Sequence, residues 1–429
     1  MPESHPNAPR DYLNLNIRGM GPSATLAINA RSAALAAEGR KIYRMGLGQS
    51  PFPVPDPVVA ALRENAHQKA YLPVRGLPEL HRAIGGYLKR TQGIEYPESH
   101  ILVGPGTKEL MFIVQLTYYG ELVIPNPSWV SYAPQARIIG RHLQWLPTRP
   151  ETGHGVTPAV LDAHCRLDPD RPRLLILNYP GNPSGTAYEA DQLAEIAEVA
   201  RRYRVLVLSD EIYGGLRFDG AHVSIARFYP EGTIISDGLS KWCGAGGWRV
   251  GALAFPEELD WLAKAMAVVA SETFTSTSAP IQYAAVRGFS PDPEIDRYLD
   301  RSRRILAALS GFAFRTLTAC GADVCEPKGA FYLFPDFGNL SETLNRRGVH
   351  SGAELCERLL EDTGVATLPG DVFGRAANEF FMRLATVDFD GAAALAALDD
   401  ERPVDETFLR DHCGSVVTAL ERIADWMAG

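Results

Sequence analysis

Four short apolar runs in the middle of the chain are each followed by a side chain or turn that could do chemistry. Asn182 follows LLIL, Asp210 follows VLVL, Lys241 follows TII, and Gly106 and Thr107 follow ILV. Apolar runs of this length that alternate with amphipathic stretches predict an α/β domain with a mainly parallel sheet. Because ligands bind at the carboxyl ends of the strands in such a sheet, we expect these groups to converge on one site.

Taken singly, each of these groups has a plainer interpretation. NPSG has the composition of an ordinary turn, Asp210 could cap a helix, and Lys241 could lie on the surface. GPGT could be only a tight turn with a threonine cap, and it matches neither a Walker loop nor a dinucleotide-binding GxGxxG. The prediction of a site therefore depends on the joint arrangement.

The combined set is suited to the chemistry of pyridoxal phosphate. A lysine held among apolar residues can have a lowered pKa and form a Schiff base with a carbonyl. A carboxylate such as Asp210 can keep the pyridine nitrogen protonated, and Asn182 and Tyr213 can hydrogen-bond to the 3′ oxygen of the ring. Trp129 can stack on the ring face, and a helix start together with Arg249 can hold the phosphate.

The elements that must position these residues divide the chain into two predicted domains. The alternating strands and helices predict a large cofactor-binding domain over residues 58–305. Residues 23–39 predict a helix that ends at a glycine, and the part of the chain after the large domain mixes helices with short strands. We therefore predict a smaller α+β domain built from residues 1–57 and 306–429.

Composition narrows the class of protein. The 429 residues carry 42 basic and 51 acidic side chains, a net charge of −9 that disfavours a nucleic-acid or anionic-membrane partner. No apolar run reaches the roughly 18 residues that span a bilayer, and the N-terminal stretch lacks a signal-peptide pattern. The six cysteines have no metal-binding spacing. We expect a cytoplasmic protein with reduced thiols, no bound metal and no membrane partner.

Seven stretches along the chain resemble the class I/II aminotransferases of the aspartate aminotransferase superfamily. They are YLPVRGLPELHRAI at 71–84, PSWVSY at 127–132, NYPGNPSG at 178–185, SDEIYGGL at 209–216, SKWCGAGGWRVG at 240–251, PKGAFYLFPDF at 327–337 and FFMRLATV at 380–387. Lys241 and Arg249 are separated by the interval that the family keeps between its Schiff-base lysine and its phosphate-binding arginine. The resemblance implies the type I fold of pyridoxal-phosphate enzymes.

The resemblance also implies a role for each matching residue. Lys241 would form the Schiff base and act as base and acid in the proton shift, and Asp210 would pair with the pyridine nitrogen. The implied cofactor-binding residues are Gly106, Thr107, Trp129, Asn182, Asp210, Tyr213, Lys241 and Arg249, with Tyr71 donated by the partner subunit of a homodimer that shares its active sites. The implied substrate-binding residues are Gly48, Lys108, Trp129, Asn182 and Arg383, of which Arg383 would clamp the α-carboxylate.

The implied reaction is transamination of an L-amino acid with a 2-oxo acid, most simply of the aspartate/2-oxoglutarate type. Lys108 and the segment 22–25 resemble a prokaryotic subgroup in which a lysine and a threonine contact the distal carboxylate, although Lys108 could equally lie on a helix surface. The alternatives are an alanine or aromatic aminotransferase, or a lyase that carries out β-elimination or decarboxylation on the same fold. A regulator built on this fold is disfavoured by the negative net charge.

Three departures from the family pattern leave the phosphate contacts and the substrate open. Gly238 stands where many relatives have serine or threonine, and either Ser236 or Ser240 could replace that contact. Gly48 begins the sequence GQSP where the family has G-E-P. The acidic segment 390–412 is longer than expected, and we predict that it is a surface excursion.

Overall fold

The computed structural model describes residues 12–21, 24–399 and 401–429. The α-helices in these ranges are α1 (Ala24–Ala37), α2 (Asp56–Asn65), α3 (Pro78–Gln92), α4 (Thr107–Thr117), α5 (Tyr132–Ile138), α6 (Pro158–Arg166), α7 (Ala190–Arg202), α8 (Asp260–Glu272), α9 (Ala279–Phe289), α10 (Pro293–Ala319), α11 (Ser341–Arg346), α12 (Gly352–Thr363), α13 (Gly391–Ala397), α14 (Glu406–His412) and α15 (Gly414–Ala428). The strands are β1 (Tyr43–Arg44), β2 (Ile101–Gly104), β3 (Glu121–Asn126), β4 (Leu143–Pro147), β5 (Arg173–Asn178), β6 (Leu206–Asp210), β7 (Thr233–Gly238), β8 (Gly251–Ala254), β9 (Tyr332–Leu333), β10 (Val365–Ala366), β11 (Leu368–Pro369) and β12 (Met382–Ala385).

The centre of the fold is a seven-stranded sheet in the order β2-β8-β7-β6-β5-β3-β4. Strands β3 to β7 run parallel, whereas β8 is antiparallel to both of its neighbours. The apolar runs of β5 and β6 are buried along their length, because helices cover both faces of a parallel sheet. This is the mainly parallel α/β architecture that the sequence predicts.

The register of the sheet brings chemistry-bearing residues to one edge. Asn178 at the end of β5 pairs with Asp210 at the end of β6, and Asp210 pairs with Ser236 on β7. Lys241 follows the end of β7 by a short turn, and Gly106 precedes α4 just after β2. The convergence expected at the carboxyl ends of the strands is therefore present.

Apolar side chains fill the space on each face of the sheet. One cluster joins α4 and α8 to the sheet through residues such as Met111 and Met266, and another joins α7 through Leu193 and Ile196. These helices hold the strand ends in place, so their packing fixes the backbone of the site.

The second part of the fold uses segments from both ends of the chain. Strand β1 pairs in parallel with β10, and β11, β12 and β9 form an antiparallel sheet. The long helix α10 continues through position 305, so the helix links the two predicted domains. Within the described ranges, no helix combines the length and the apolar character needed to cross a bilayer.

The prediction that 390–412 is a surface excursion is wrong. The segment contains α13 and α14, and Ala394, Leu398, Phe408 and Leu409 are buried. Its acidic residues within the described part of the chain are exposed or cap helices, as Asp405 does by accepting from the Phe408 amide at 2.9 Å. The net acidity concealed an apolar stripe that packs on the core.

Candidate active site

A cavity of about 500 Å³ lies at the carboxyl edge of the central sheet. Of the residues predicted from the sequence, those that line it are Gly48, Thr107, Lys108, Trp129, Asn182, Asp210, Tyr213, Lys241, Arg249 and Arg383. Gly106 lies just outside the lining and touches Arg249. Tyr71 is 89% exposed and is not part of the lining.

The start of α4 forms one wall of the cavity. Gly106 has a φ of 89°, and a Cβ at this position would overlap the Arg249 guanidinium. Arg249 donates to the Pro105 carbonyl at 3.2 Å, and a Cβ at Gly251 would come within 2.6 Å of the Thr107 amide nitrogen. The close approach of a helix start and a guanidinium makes a cradle suited to an anion.

The open question about Gly238 has a steric answer. A Cβ there would come within 2.8 Å of the Val250 carbonyl oxygen, so serine or threonine would not fit without a shift of β8. Ser240 lines the cavity, whereas Ser236 is fully buried on β7. Of the two serines, Ser240 is therefore the one placed to contact a bound group.

Asp210 is a buried carboxylate with one satisfied oxygen. Asp210 is only 3% exposed, and its Oδ2 accepts a hydrogen bond from the Tyr132 hydroxyl at 2.5 Å. Oδ1 is buried and has no partner among the described residues. Burial raises the pKa of Asp210 to about 6, against the opposing effect of the Tyr132 hydrogen bond.

Lys241 presents its amine to the same cavity. Nζ donates to the Gly48 carbonyl at 2.6 Å and lies 5.6 Å from the centre of the Tyr213 ring. Burial, together with the nearby Arg383 charge, lowers the pKa of Lys241 to about 8, and Asp210 opposes the shift. A substantial fraction of the amine is therefore neutral near pH 8, which a nucleophile or base requires.

Within the part of the chain that the structure describes, Arg383 is a buried cation without a carboxylate partner. The residue is 2% exposed, and its guanidinium donates to Asn182 Oδ1 at 3.1 Å and to the Gly46 carbonyl at 2.5 Å. It stacks 4.7 Å from the Tyr332 ring centre, and Nε has no partner among the described residues. Because buried charges are normally paired, this arrangement favours binding of a carboxylate.

Lys108 and Trp129 form another part of the wall. Lys108 is exposed on α4, yet its side chain lines the cavity with Nζ 5.5 Å from the Trp129 ring centre. Burial lowers the pKa of Lys108, and the Arg249 charge adds to this effect. The related expectation for segment 22–25 lies outside the residues whose side chains the structure describes.

Three residues of the site are not among those predicted from the sequence. Tyr132 holds Asp210, Tyr332 donates to or accepts from the Tyr213 hydroxyl at 2.9 Å, and Asn178 donates to the Asp210 carbonyl at 3.0 Å. Each lies in a stretch already matched to the family, so the signal was present. Tyr332 also explains a glycine, because a Cβ at Gly48 would overlap its hydroxyl.

The chain matches known proteins over most of its length. The family model for aminotransferase class I and II matches residues 40–388. The aspartate aminotransferase of Geobacillus stearothermophilus is 34% identical over 84% of this chain and 92% of its own. The aspartate/prephenate aminotransferase of Cereibacter sphaeroides is 32% identical over 88% of this chain and 95% of its own.

A solved structure agrees with these sequence matches. The aspartate aminotransferase from Thermus thermophilus with maleate superposes with a TM-score of 0.82 at 28% identity, covering 97% of this chain and 100% of that chain. The protein described here belongs to the class I and II aminotransferases, with the type I fold of pyridoxal-phosphate enzymes. It is a pyridoxal-phosphate-dependent aminotransferase.

Proposed function

We propose that this aminotransferase exchanges amino groups between a dicarboxylic L-amino acid, aspartate or glutamate, and a 2-oxo acid. Transamination is supported by buried Arg383, which shares one cavity with Lys241 and Asp210, and the observation that carries the dicarboxylic substrate is Lys108, whose side chain lines the same cavity. The cavity thus contains a carboxylate receptor beside an amine with a lowered pKa and a half-satisfied carboxylate.

The residues of the cavity fit pyridoxal phosphate. The unpartnered Oδ1 of Asp210 suits the protonated ring nitrogen, and the cradle at Gly106 and Arg249 suits the phosphate. We further assign Thr107 to the phosphate and Lys241 Nζ to covalent attachment. Three more residues would contact the ring and its 3′ oxygen: Trp129, Asn182 and Tyr213.

The cofactor, when bound, supplies an electron sink that makes the α-proton of the amino acid acidic. The task of Lys241 is to accept that proton at Nζ and to return it. With a pKa of about 8, the neutral and charged forms of the amine have similar populations near pH 8, which suits a group that must both take and give a proton. Asp210 would accept a hydrogen bond from the protonated ring nitrogen at Oδ1, and the Tyr132 hydroxyl keeps the carboxylate in one orientation.

The substrate contacts follow from the same geometry. Arg383 would bind the α-carboxylate through bidentate hydrogen bonds from its guanidinium. Asn182 Oδ1 accepts a hydrogen bond from that guanidinium and holds it in place. Gly48, whose missing Cβ leaves room for the Tyr332 hydroxyl, brings backbone close to the same carboxylate. Lys108 would bind the distal carboxylate, since its amine lines the cavity beside Trp129.

We also propose a homodimer with shared sites, located in the cytoplasm. Tyr71 is supported as a residue donated to the partner subunit by its 89% exposure and by its absence from the cavity lining of its own chain. Exposure of this degree leaves the Tyr71 side chain accessible to a neighbouring subunit. The limits of the two domains, 58–305 for the large one, remain part of this proposal.

The experiment that tests the function is a panel of amino donors with 2-oxoglutarate and with pyruvate as acceptors. The donors are aspartate, glutamate, alanine, phenylalanine and cysteine, with glutamate paired only with pyruvate and alanine only with 2-oxoglutarate, because each would otherwise regenerate its own acceptor. The assays follow oxo-acid formation and ammonia release separately. We expect faster turnover of the dicarboxylic donors and no ammonia from cysteine. Prephenate is a further acceptor to include, since the Cereibacter sphaeroides relative is named for it. Equal rates for aspartate and phenylalanine would contradict the assigned substrate class, and ammonia release would point to elimination.

A further inference from the structure

A second, smaller cavity lies on the other side of one wall of the active site. Its volume is about 30 Å³, and Asn178 and Asn182 line both this cavity and the larger one. The side chains of Ser128, His154 and Ser184 also line it. The two asparagines therefore form a partition, with the active site on one side and a small polar space on the other.

His154 is the polar group in this space that lacks a protein partner. The residue is 6% exposed, and the rings of Phe334 and Phe381 lie edge-on to the imidazole at 5.9 Å between ring centres. Nδ1 is buried and has no hydrogen-bond partner among the described residues. The backbone φ of 57° is in the left-handed region, so the fold holds this imidazole in place at a conformational cost.

The imidazole is uncharged at neutral pH. Burial lowers the pKa of His154 to about 4, with a smaller lowering from Arg375 and an opposing effect of Glu151. A neutral imidazole carries one donor and one acceptor nitrogen. Leaving the buried Nδ1 unsatisfied is costly, and ordered water commonly satisfies such groups.

Two other polar side chains of the small cavity already have protein partners. Ser184 Oγ lies 2.7 Å from Thr186 Oγ1, which in turn donates to the Gly153 carbonyl at 2.6 Å. A cavity needs roughly 10–15 Å³ for one water, so about 30 Å³ leaves room for one or two. Water placed there would have His154 and the asparagine amides within the same small volume.

The partition connects this space to two residues of the proposed mechanism. Asn178 Oδ1 accepts from the Asn182 backbone N–H at 2.8 Å, and Asn178 Nδ2 donates to the Asp210 carbonyl at 3.0 Å. Asn182 Oδ1 accepts from Arg383 at 3.1 Å. A displacement of the partition would therefore alter the position of the Arg383 guanidinium.

We propose that the second cavity binds ordered water hydrogen-bonded to His154 and to the asparagine partition, and that His154 is a positioning residue that acts through this water to hold Asn182 against Arg383. The positioning role rests on the proposed function of Arg383 as the receptor for the substrate carboxylate. The water site does not depend on that function.

The test combines a crystal structure with steady-state kinetics of the cofactor-bound enzyme. His154→Phe keeps an aromatic ring between Phe334 and Phe381 but removes both nitrogens, and His154→Gln keeps a donor and an acceptor. His412→Phe is the matched control, since that imidazole packs on Phe408 at 4.6 Å between ring centres and lies outside both cavities.

We expect ordered water beside His154 in the wild-type crystal and its loss in His154→Phe. The KM for the oxo acid should rise roughly threefold to tenfold in His154→Phe, as expected for the loss of one water-mediated hydrogen bond to a positioning group, with a smaller change in kcat. His154→Gln should restore most of the KM, and the control should match the wild type.

Two results would overturn the proposal: a dry cavity in the wild-type crystal, or a His154→Phe enzyme that has lost the water and keeps its KM. If His154→Phe does not fold, the wild-type crystal decides the water site. In that case, the KM of His154→Gln is compared with the presence or absence of ordered water in its own crystal structure, and this comparison decides the positioning role. Failure of the proposed function is distinguishable, because it would appear as the wrong donor preference in the wild type while the water remained.

Discussion

The hydroxyl of Tyr132 donates to Oδ2 of Asp210 at 2.5 Å, while Oδ1 of the same carboxylate is buried without a partner among the described residues. One oxygen is therefore fixed by the protein, and the other is left for a donor that the cavity receives. A carboxylate in this state is costly to ionise, which explains why its pKa is raised to about 6.

The first prediction concerns stability of the cofactor-free protein. The folded pKa of Asp210, about 6, is above the ordinary value of 3.8. The stabilisation from protonated Asp210 is therefore complete below about pH 4 and is lost as the pH rises to about 6. The loss is on the order of 2–3 kcal/mol. Asp210→Asn should remove it, so the variant should gain stability relative to wild type as the pH rises.

Urea unfolding of both cofactor-free proteins across this pH range measures the difference directly. Asp170→Asn is the control, because that carboxylate is 89% exposed and pairs only with Arg204 at the surface. Parallel pH profiles for wild type and Asp210→Asn would show that the buried carboxylate is not titrating as described.

The second prediction assigns the lysine that attaches the cofactor. Lys241→Ala should abolish turnover and the borohydride-reducible bond between protein and pyridoxal phosphate, because Lys241 is the buried amine whose charge interacts with both Asp210 and Arg383. Peptide mass spectrometry after reduction locates the modified lysine in the wild type. Lys264→Ala, at a lysine 70% exposed on α8, should behave as wild type. A reduced adduct at a different lysine would refute the assignment.

Much of the central sheet could be predicted from apolar runs, and the exception is instructive. The sequence of β4, LQWLP, gives no such signal, because this strand is only partly buried at the edge of the sheet and lacks a continuous apolar run. The segment 390–412 was misjudged for a related reason. Its buried residues are spaced along two short helices, and the acidic residues between them dominate the composition.

Site residues could be predicted where a local sequence pattern identifies them, and less readily where their role depends on a contact between distant segments. Asp210 ends β6 and Lys241 follows β7, so their order along the chain identifies them, and Arg249 is identified by its interval from Lys241. Tyr132 and Tyr332 act only after the fold has brought them to Asp210 and Tyr213. No local pattern specifies such contacts, and the small cavity next to His154 is likewise formed by three separate segments of the chain.

The third prediction tests the carboxylate receptor. Arg383→Lys should raise KM for amino and oxo acids by roughly 10- to 100-fold, because an ammonium cannot reproduce the two-pronged contact and would leave Asn182 with a weaker partner. The matched control is Arg347→Lys, at an arginine that also stacks on an aromatic ring, 3.8 Å from the centre of Trp426. An unchanged KM in Arg383→Lys would remove Arg383 from the substrate site.

The fourth prediction separates a binding lysine from a surface lysine. If Lys108 binds the distal carboxylate, Lys108→Ala should lower kcat/KM for aspartate by roughly 10- to 100-fold and leave alanine turnover nearly unchanged. Lys89→Ala is the control, because Lys89 pairs with Glu95 on the surface of α3. Equal effects on both donors would place Lys108 outside the substrate site.

The fifth prediction tests whether Tyr71 serves its own subunit or the partner. Tyr71→Ala and Lys241→Ala homodimers should each have little activity. If Tyr71 is donated across the interface, a hybrid of the two variants contains one site with native Lys241 and native Tyr71. If Tyr71 serves its own subunit, the hybrid contains no such site.

Unfolding and refolding the two variants together, at equal concentrations, allows hybrids to form. Because random pairing makes about half of the dimers hybrid and each hybrid has one native site, activity should reach roughly a quarter of the wild-type value. Each variant refolded alone is the control, and a differently tagged copy of each allows the hybrid to be purified and assayed by itself. The 89% exposure of Tyr71 is the structural reason to expect recovery, since the side chain is free to enter a neighbouring subunit. A purified hybrid no more active than its parents would confine Tyr71 to its own chain, and a fully active wild-type monomer in sedimentation would contradict the shared site.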